Sequence, residues 1–71
     1  MNVREFNKLN IGDLIDDINH QGWGFGVVIK LLTKPAWDQR ALIRFSNGRT
    51  YHMFLHSPTR RQAVIVAKAK R

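Results

Sequence analysis

The stretch Ala41-Leu42-Ile43-Arg44-Phe45-Ser46-Asn47-Gly48-Arg49-Thr50-Tyr51-His52-Met53-Phe54-Leu55-His56 decides the fold. Ala41, Ile43 and Phe45 alternate with Leu42 and Arg44, the period-two spacing of a strand with one buried face. Asn47-Gly48 then sits between two alternating runs, which is a strong local hairpin signal. The return run places Tyr51, Met53 and Leu55 on one face and Thr50, His52, Phe54 and His56 on the other. The spacing therefore predicts Ala41–Phe45 and Arg49–Leu55 as paired antiparallel strands. The same pairing bears on metal chemistry. On a helix, His52 and His56 would share a face at a spacing that zinc sites use. On a strand they stand roughly 13 Å apart, too far for a shared zinc. No metal ligand is assigned.

Working outward, Val27-Val28-Ile29-Lys30-Leu31-Leu32 reads as a strand from its valine and isoleucine content. It is preceded by Gly22-Trp23-Gly24-Phe25-Gly26, where glycines mark a bend or a close backbone approach. Leu14 to Ile18 is a short first strand, entered through a turn at Asn10 to Asp13. Pro35 makes residues 33–39 a loop. Ser57 to Arg61 reads as a tight or single-turn helical connection, and Gln62 to Ala67 as the last strand. Val3, Phe6 and Leu9, spaced by three, fit one or two helical turns or an arm laid over the core. The expected organisation is an N-terminal arm or short helix over 1–10, one domain over 11–67, and a basic tail over 68–71. Short strands with tight connections suggest an all-β, five-stranded small barrel.

The 71 residues allow one domain with a thin core. No cysteine is present, which excludes a disulfide framework, a thiolate metal site and a cysteine nucleophile. The start lacks the apolar stretch of a signal peptide. No run is long enough to span a bilayer as a helix, so a cytoplasmic location is expected, with nucleoid association as a further option. The formal charge of +7 is unevenly placed. Residues 1–38 hold Arg4, Lys8, Lys30 and Lys34 against Glu5, Asp13, Asp16, Asp17 and Asp38, a net of −1. Residues 39–71 hold eight cations and no acid, a net of +8. Such asymmetry points to a polyanionic partner.

Candidate catalytic groups do not converge. Asp16 and Asp17 point to opposite faces if they lie on a strand, whereas an acid–base pair must meet on one bond. They read as solvated charges or partners for the basic half. Ser46 and Ser57 lack a nucleophile elbow. No catalytic residue and no cofactor is assigned, and the chain reads as a non-enzymatic binding module. Its basic half is dominated by arginines, which grip phosphate in bidentate fashion and stack on bases. Arg40, Arg44, Arg49, Arg60 and Arg61 are the candidate phosphate-facing residues. Trp37, in a polar loop, and Trp23, at the glycine bend, are the candidate base platforms. Phe25, Phe45 and Tyr51 are assigned to the core.

Ile11-Gly12-Asp13-Leu14-Ile15, Gly22-Trp23-Gly24-Phe25-Gly26-Val27-Val28, Ala41-Leu42-Ile43-Arg44-Phe45 and Asn47-Gly48 form an ordered series. It resembles the small SH3-like barrels of the Tudor/KOW kind. The RNA-polymerase-interacting domains of CarD-type regulators and transcription-repair coupling factors are similar. So is the C-terminal Tudor-like domain of bacterial repair helicases. The resemblance covers residues 11–56 and implies a five-stranded SH3-like barrel that binds nucleic acid (DNA or RNA), RNA polymerase or both. The chain departs from that pattern after its first strand. Asp16 and Asp17 stand there in place of a basic or His residue, which argues against phosphate contact at that point. Gly22-Trp23-Gly24-Phe25 and Phe54-Leu55-His56 also resemble the two aromatic elements of cold-shock barrels, although those elements lie close together in cold-shock domains. An adaptor docking on an acidic protein partner, and an oligomer completing its core at a subunit interface, remain alternatives.

Overall fold

The computed structural model describes residues 1–34 and 38–69. Its elements are α1 (Val3–Asn7), β1 (Leu14–Asp17), a 3₁₀ segment (Ile18–Trp23), β2 (Gly26–Leu32), β3 (Arg40–Phe45), β4 (Thr50–Phe54), α2 (Pro58–Gln62) and β5 (Ala63–Ala67). The strands form one open antiparallel sheet in the order β4-β3-β2-β1-β5. The first four make a meander, and β5 returns across it to pair with β1. An all-β fold is therefore present. Among the described residues, no helix is long and apolar enough to cross a membrane.

The β3–β4 hairpin follows the sequence reading, with Ala41 opposite Met53 and Ile43 opposite Tyr51. Its turn has three residues, Ser46, Asn47 and Gly48. The Gly48 N–H donates to the Phe45 carbonyl at 2.9 Å, and the Phe45 N–H donates to the Arg49 carbonyl at 2.8 Å. Only Gly48 takes a positive φ, +88°, a left-handed position that glycine occupies without the steric cost of a Cβ. Asn47 contributes its side chain, whose Oδ1 accepts from the Arg49 N–H at 3.0 Å.

Alternation divides the sheet into an inner and an outer face. Ile15, Val28, Ala41, Ile43, Phe45, Met53 and Ala63 supply the buried inner face, and Met1, Phe6 and Leu9 from the N-terminal segment cover it. Fully burying each large member contributes roughly 1.5–3 kcal/mol, so this single apolar layer carries much of the stability. The cover is held by a capping box. Asn2 Oδ1 accepts from the Glu5 N–H at 2.8 Å, and Glu5 Oε1 accepts from the Asn2 N–H at 3.0 Å. Residues 1–10 thus hold a one-turn helix that packs on the sheet through Phe6, and Val3 faces outward.

Candidate nucleic-acid interface

Cross-strand register arranges the outer face in rows. Leu14, Val27, Arg44 and Thr50 form the first, Lys30, Leu42 and His52 the second, and Leu32, Arg40 and Phe54 the third. A bulge between Val28 and Lys30 leaves Ile29 exposed as well. Neighbouring strands are about 4.8 Å apart, so each row brings its side chains into mutual reach.

Phe25, two residues before Val27, continues this face, and a bend precedes it. Gly24 has a φ of +79°, and the hairpin turn grips the chain on both sides of it. The Ser46 N–H donates to the Phe25 carbonyl at 3.0 Å, the Asn47 N–H to the Trp23 carbonyl at 3.2 Å, and Ser46 Oγ to the same Trp23 carbonyl at 3.0 Å. The Phe25 ring ends 51% exposed. This corrects its assignment to the core, where Phe45 is buried and Tyr51 half-buried. Leu14, Phe25, Val27, Ile29, Arg44 and Ser46, with Phe45 and Gly48, line an open groove of about 530 Å³.

The candidate cations separate into two places. Arg44 is exposed in the groove wall, across the strand pair from Val27. Arg49 is exposed beside the turn, its guanidinium 5.5 Å from the centre of the Trp23 ring. Arg40 lies 5.2 Å from the Phe54 ring centre and donates from Nη2 to Asp38 Oδ2 at 3.0 Å. Its Nε is buried without a hydrogen-bond partner among the described residues.

Arg60 is elsewhere, and its role is corrected. It is only 7% exposed, donating from Nε to the Leu55 carbonyl and from Nη1 to the Met1 carbonyl at 2.9 Å. A guanidinium so enclosed ties α2 to the chain before it and to the N-terminal segment, so it offers little to a phosphate. Arg61 is exposed, but in a recess shared with Met1, Asn2, Val3, Glu5 and Arg60. Trp23 is half-buried, with His20 at 4.1 Å and Phe45 at 5.2 Å between ring centres. These contacts occupy much of the ring that was a candidate platform. Trp37 lies outside the described residues.

Two carboxylates that the sequence left unplaced are structural. Asp17 is 2% exposed, and its Oδ2 lies 2.7 Å from His20 Nδ1, which corrects its reading as a solvated charge. The kink at His20 within the 3₁₀ segment brings that ring back toward β1. Asp13 is fully buried and accepts from the Asn10 N–H at 2.8 Å, the Ala69 N–H at 2.7 Å and Lys68 Nζ. Burial pushes its pKa up, but the Lys68 ammonium and the two backbone N–H groups outweigh burial and leave it lowered. Lys68, the first residue of the basic tail expected over 68–71, is therefore anchored. Asp13 meets Lys68 and Ala69 only through the fold, and Asp17 meets His20, three residues on, only through the kink at His20, so no sequence signal pointed to either pair.

What the outer face offers a ligand is an exposed aromatic and aliphatic floor bordered by arginines that keep donors available. A scan against protein-family models finds no match to this chain, and searches of curated proteins and of solved structures return none either.

Proposed function

We propose that the chain is a non-enzymatic nucleic-acid-binding module that engages its ligand through the outer face of β2, β3 and β4. The observation that carries this reading is the arrangement of Arg44 and Lys30 among exposed Phe25, Val27 and Ile29, in a chain of net charge +7. Phosphates supply the charge complement, and apolar side chains supply contact area that ions alone would not need. The finer fold belongs to the same proposal. A four-strand meander, a helical turn after β4 and the return of β5 to β1 support the SH3-like order of elements that the sequence resembles, in a sheet that is open between β4 and β5 where the sequence reading expects a closed barrel.

A second reading has its own observation. Val64 and Val66 are exposed on β5, a sheet edge whose strand partner among the described residues is β1, and such an edge suits docking on a protein such as RNA polymerase. One titration separates the two. At physiological salt the protein should bind a labelled oligonucleotide saturably. Replacing Arg44 and Arg49 together by Ala should flatten the log–log salt slope by roughly one to two units, at about 0.7–0.9 per lost phosphate contact. If no oligonucleotide binds saturably, the nucleic-acid reading fails. Capture of a protein partner that survives nuclease treatment would then support the second.

A further inference from the structure

The groove has a composition that a duplex could not use. Its floor is Leu14, Val27 and Ile29, and Phe25 stands over it half exposed. Arg44 is directly opposite Val27 in the β2–β3 register, so a guanidinium lies next to the apolar floor. None of the side chains lining the groove is acidic. The volume, about 530 Å³, lies within the roughly 300–1,000 Å³ of small-molecule sites, and the groove is open along the sheet.

A double helix presents phosphates outside and keeps its base faces stacked inside. Against such a ligand Arg44 would find a partner, whereas Phe25, Val27 and Ile29 would find none. A single strand presents both kinds of surface, alternating along its length. Resting on the nucleic-acid reading above, we infer that this groove is a subsite for an unpaired nucleobase of a single-stranded nucleic acid. The base stacks on Phe25 over the Val27–Ile29 floor, and the adjoining phosphate meets Arg44. The Ser46 side chain and the backbone of the turn bound the groove on the hairpin side. Aromatic stacking accepts every base, so this subsite selects for strandedness and only weakly for sequence.

The test is fluorescence anisotropy with a labelled oligothymidine, a labelled oligouridine and a labelled duplex of equal length, at physiological salt. Phe25→Ala should weaken binding to both single strands by roughly five- to hundredfold while leaving duplex binding within about twofold. Phe25→Trp should restore it, and the new indole should be quenched by oligothymidine but not by duplex. Because Phe25 is half exposed, Phe25→Ala should melt with the parent, and the Phe25→Trp quenching decides the matter if it does not. Arg44→Ala should weaken single strands and duplex alike. Equal loss on all probes, or no loss with Phe25→Ala and no quenching, overturns the base subsite and leaves a phosphate-binding face. Failure of the parent protein to bind any probe overturns the nucleic-acid reading itself.

Discussion

Replacing Gly26 by Ala is the sharpest probe of how β2 meets β3. Gly26 is paired with both Ile15 and Phe45 and carries no side chain at a point where the inner face is fully occupied. A Cβ added there would overlap Ile43 Cγ2 and come within 3.1 and 3.2 Å of Phe45 Cε1 and Cδ1. Neither neighbour can step aside cheaply. Ile43 is β-branched and stiff at χ1, and Phe45 is held edge-on to Trp23 at 5.2 Å. Overpacking of this kind costs about 1–3 kcal/mol. Removing a flexible glycine from a strand returns about 0.5–1 kcal/mol. The central expectation is a loss of about 1.3 kcal/mol, up to about 2.5, and each kcal/mol lowers Tm by roughly 4–8 °C in a domain of this size. Gly22 supplies the control, because a Cβ there meets nothing within 4 Å and its φ is not positive. Thermal melts followed by circular dichroism should place Gly22→Ala with the parent and Gly26→Ala well below it. Coincident melting of the two variants would refute the claim that Gly26 is required by close packing.

Arg60→Ala should cost about 3 kcal/mol, because it strips a charged donor from two carbonyls beneath α2, whereas Arg61→Ala should stay within about 0.5 kcal/mol. Urea midpoints at constant slope measure both, and equal shifts would show that Arg60 is not structural. Acid unfolding should report Asp13. The unfolded carboxyl titrates near its ordinary value of 3.8, and the folded one titrates lower, so its contribution is complete above that value and is lost as pH falls through the folded pKa. Asp13→Asn should lower stability at neutral pH and flatten this acid limb; an unaltered acid limb would assign acid sensitivity to another group.

The hairpin was legible because Asn47-Gly48 and the alternation on both sides of it are local signals that tertiary packing had no reason to override. β5 and the helical turn over Pro58–Gln62 were legible for the same reason. Phe25 was not. Period two counted back from Val27 does put Phe25 on the outer face; it was assigned to the core because a domain this small needs most of its aromatics inside, a need that Phe45 and the half-buried Trp23 and Tyr51 meet instead. The bulge between Val28 and Lys30 was hidden, since a register shift leaves no mark in composition, and it turns Lys30 to the outer face beside Ile29. Arg60 and Asp17 look like surface charges in sequence. Each is buried because a chain segment distant in sequence or a kinked turn closes over it, and no pattern in sequence reports such a partner. For that reason the proposed interface rests on Arg44 and Phe25, one anticipated as a contact and the other assigned to the core.

The pairing of β5 with β1 also sets the order in which the molecule can be made. β1 ends at Asp17 and its second partner begins at Ala63, so the ribosome must synthesise everything between them before that seam can close. At about 5–20 residues per second the wait is roughly 2–10 s. By its end the β2–β3–β4 meander has its partners, while Ile15 and Asp17 still lack strand β5, and Asp13 still lacks the Lys68 and Ala69 donors that bind it in the finished fold. The exposed edge of β1 is then the part of the nascent chain most open to a chaperone or to a neighbouring copy on the same message.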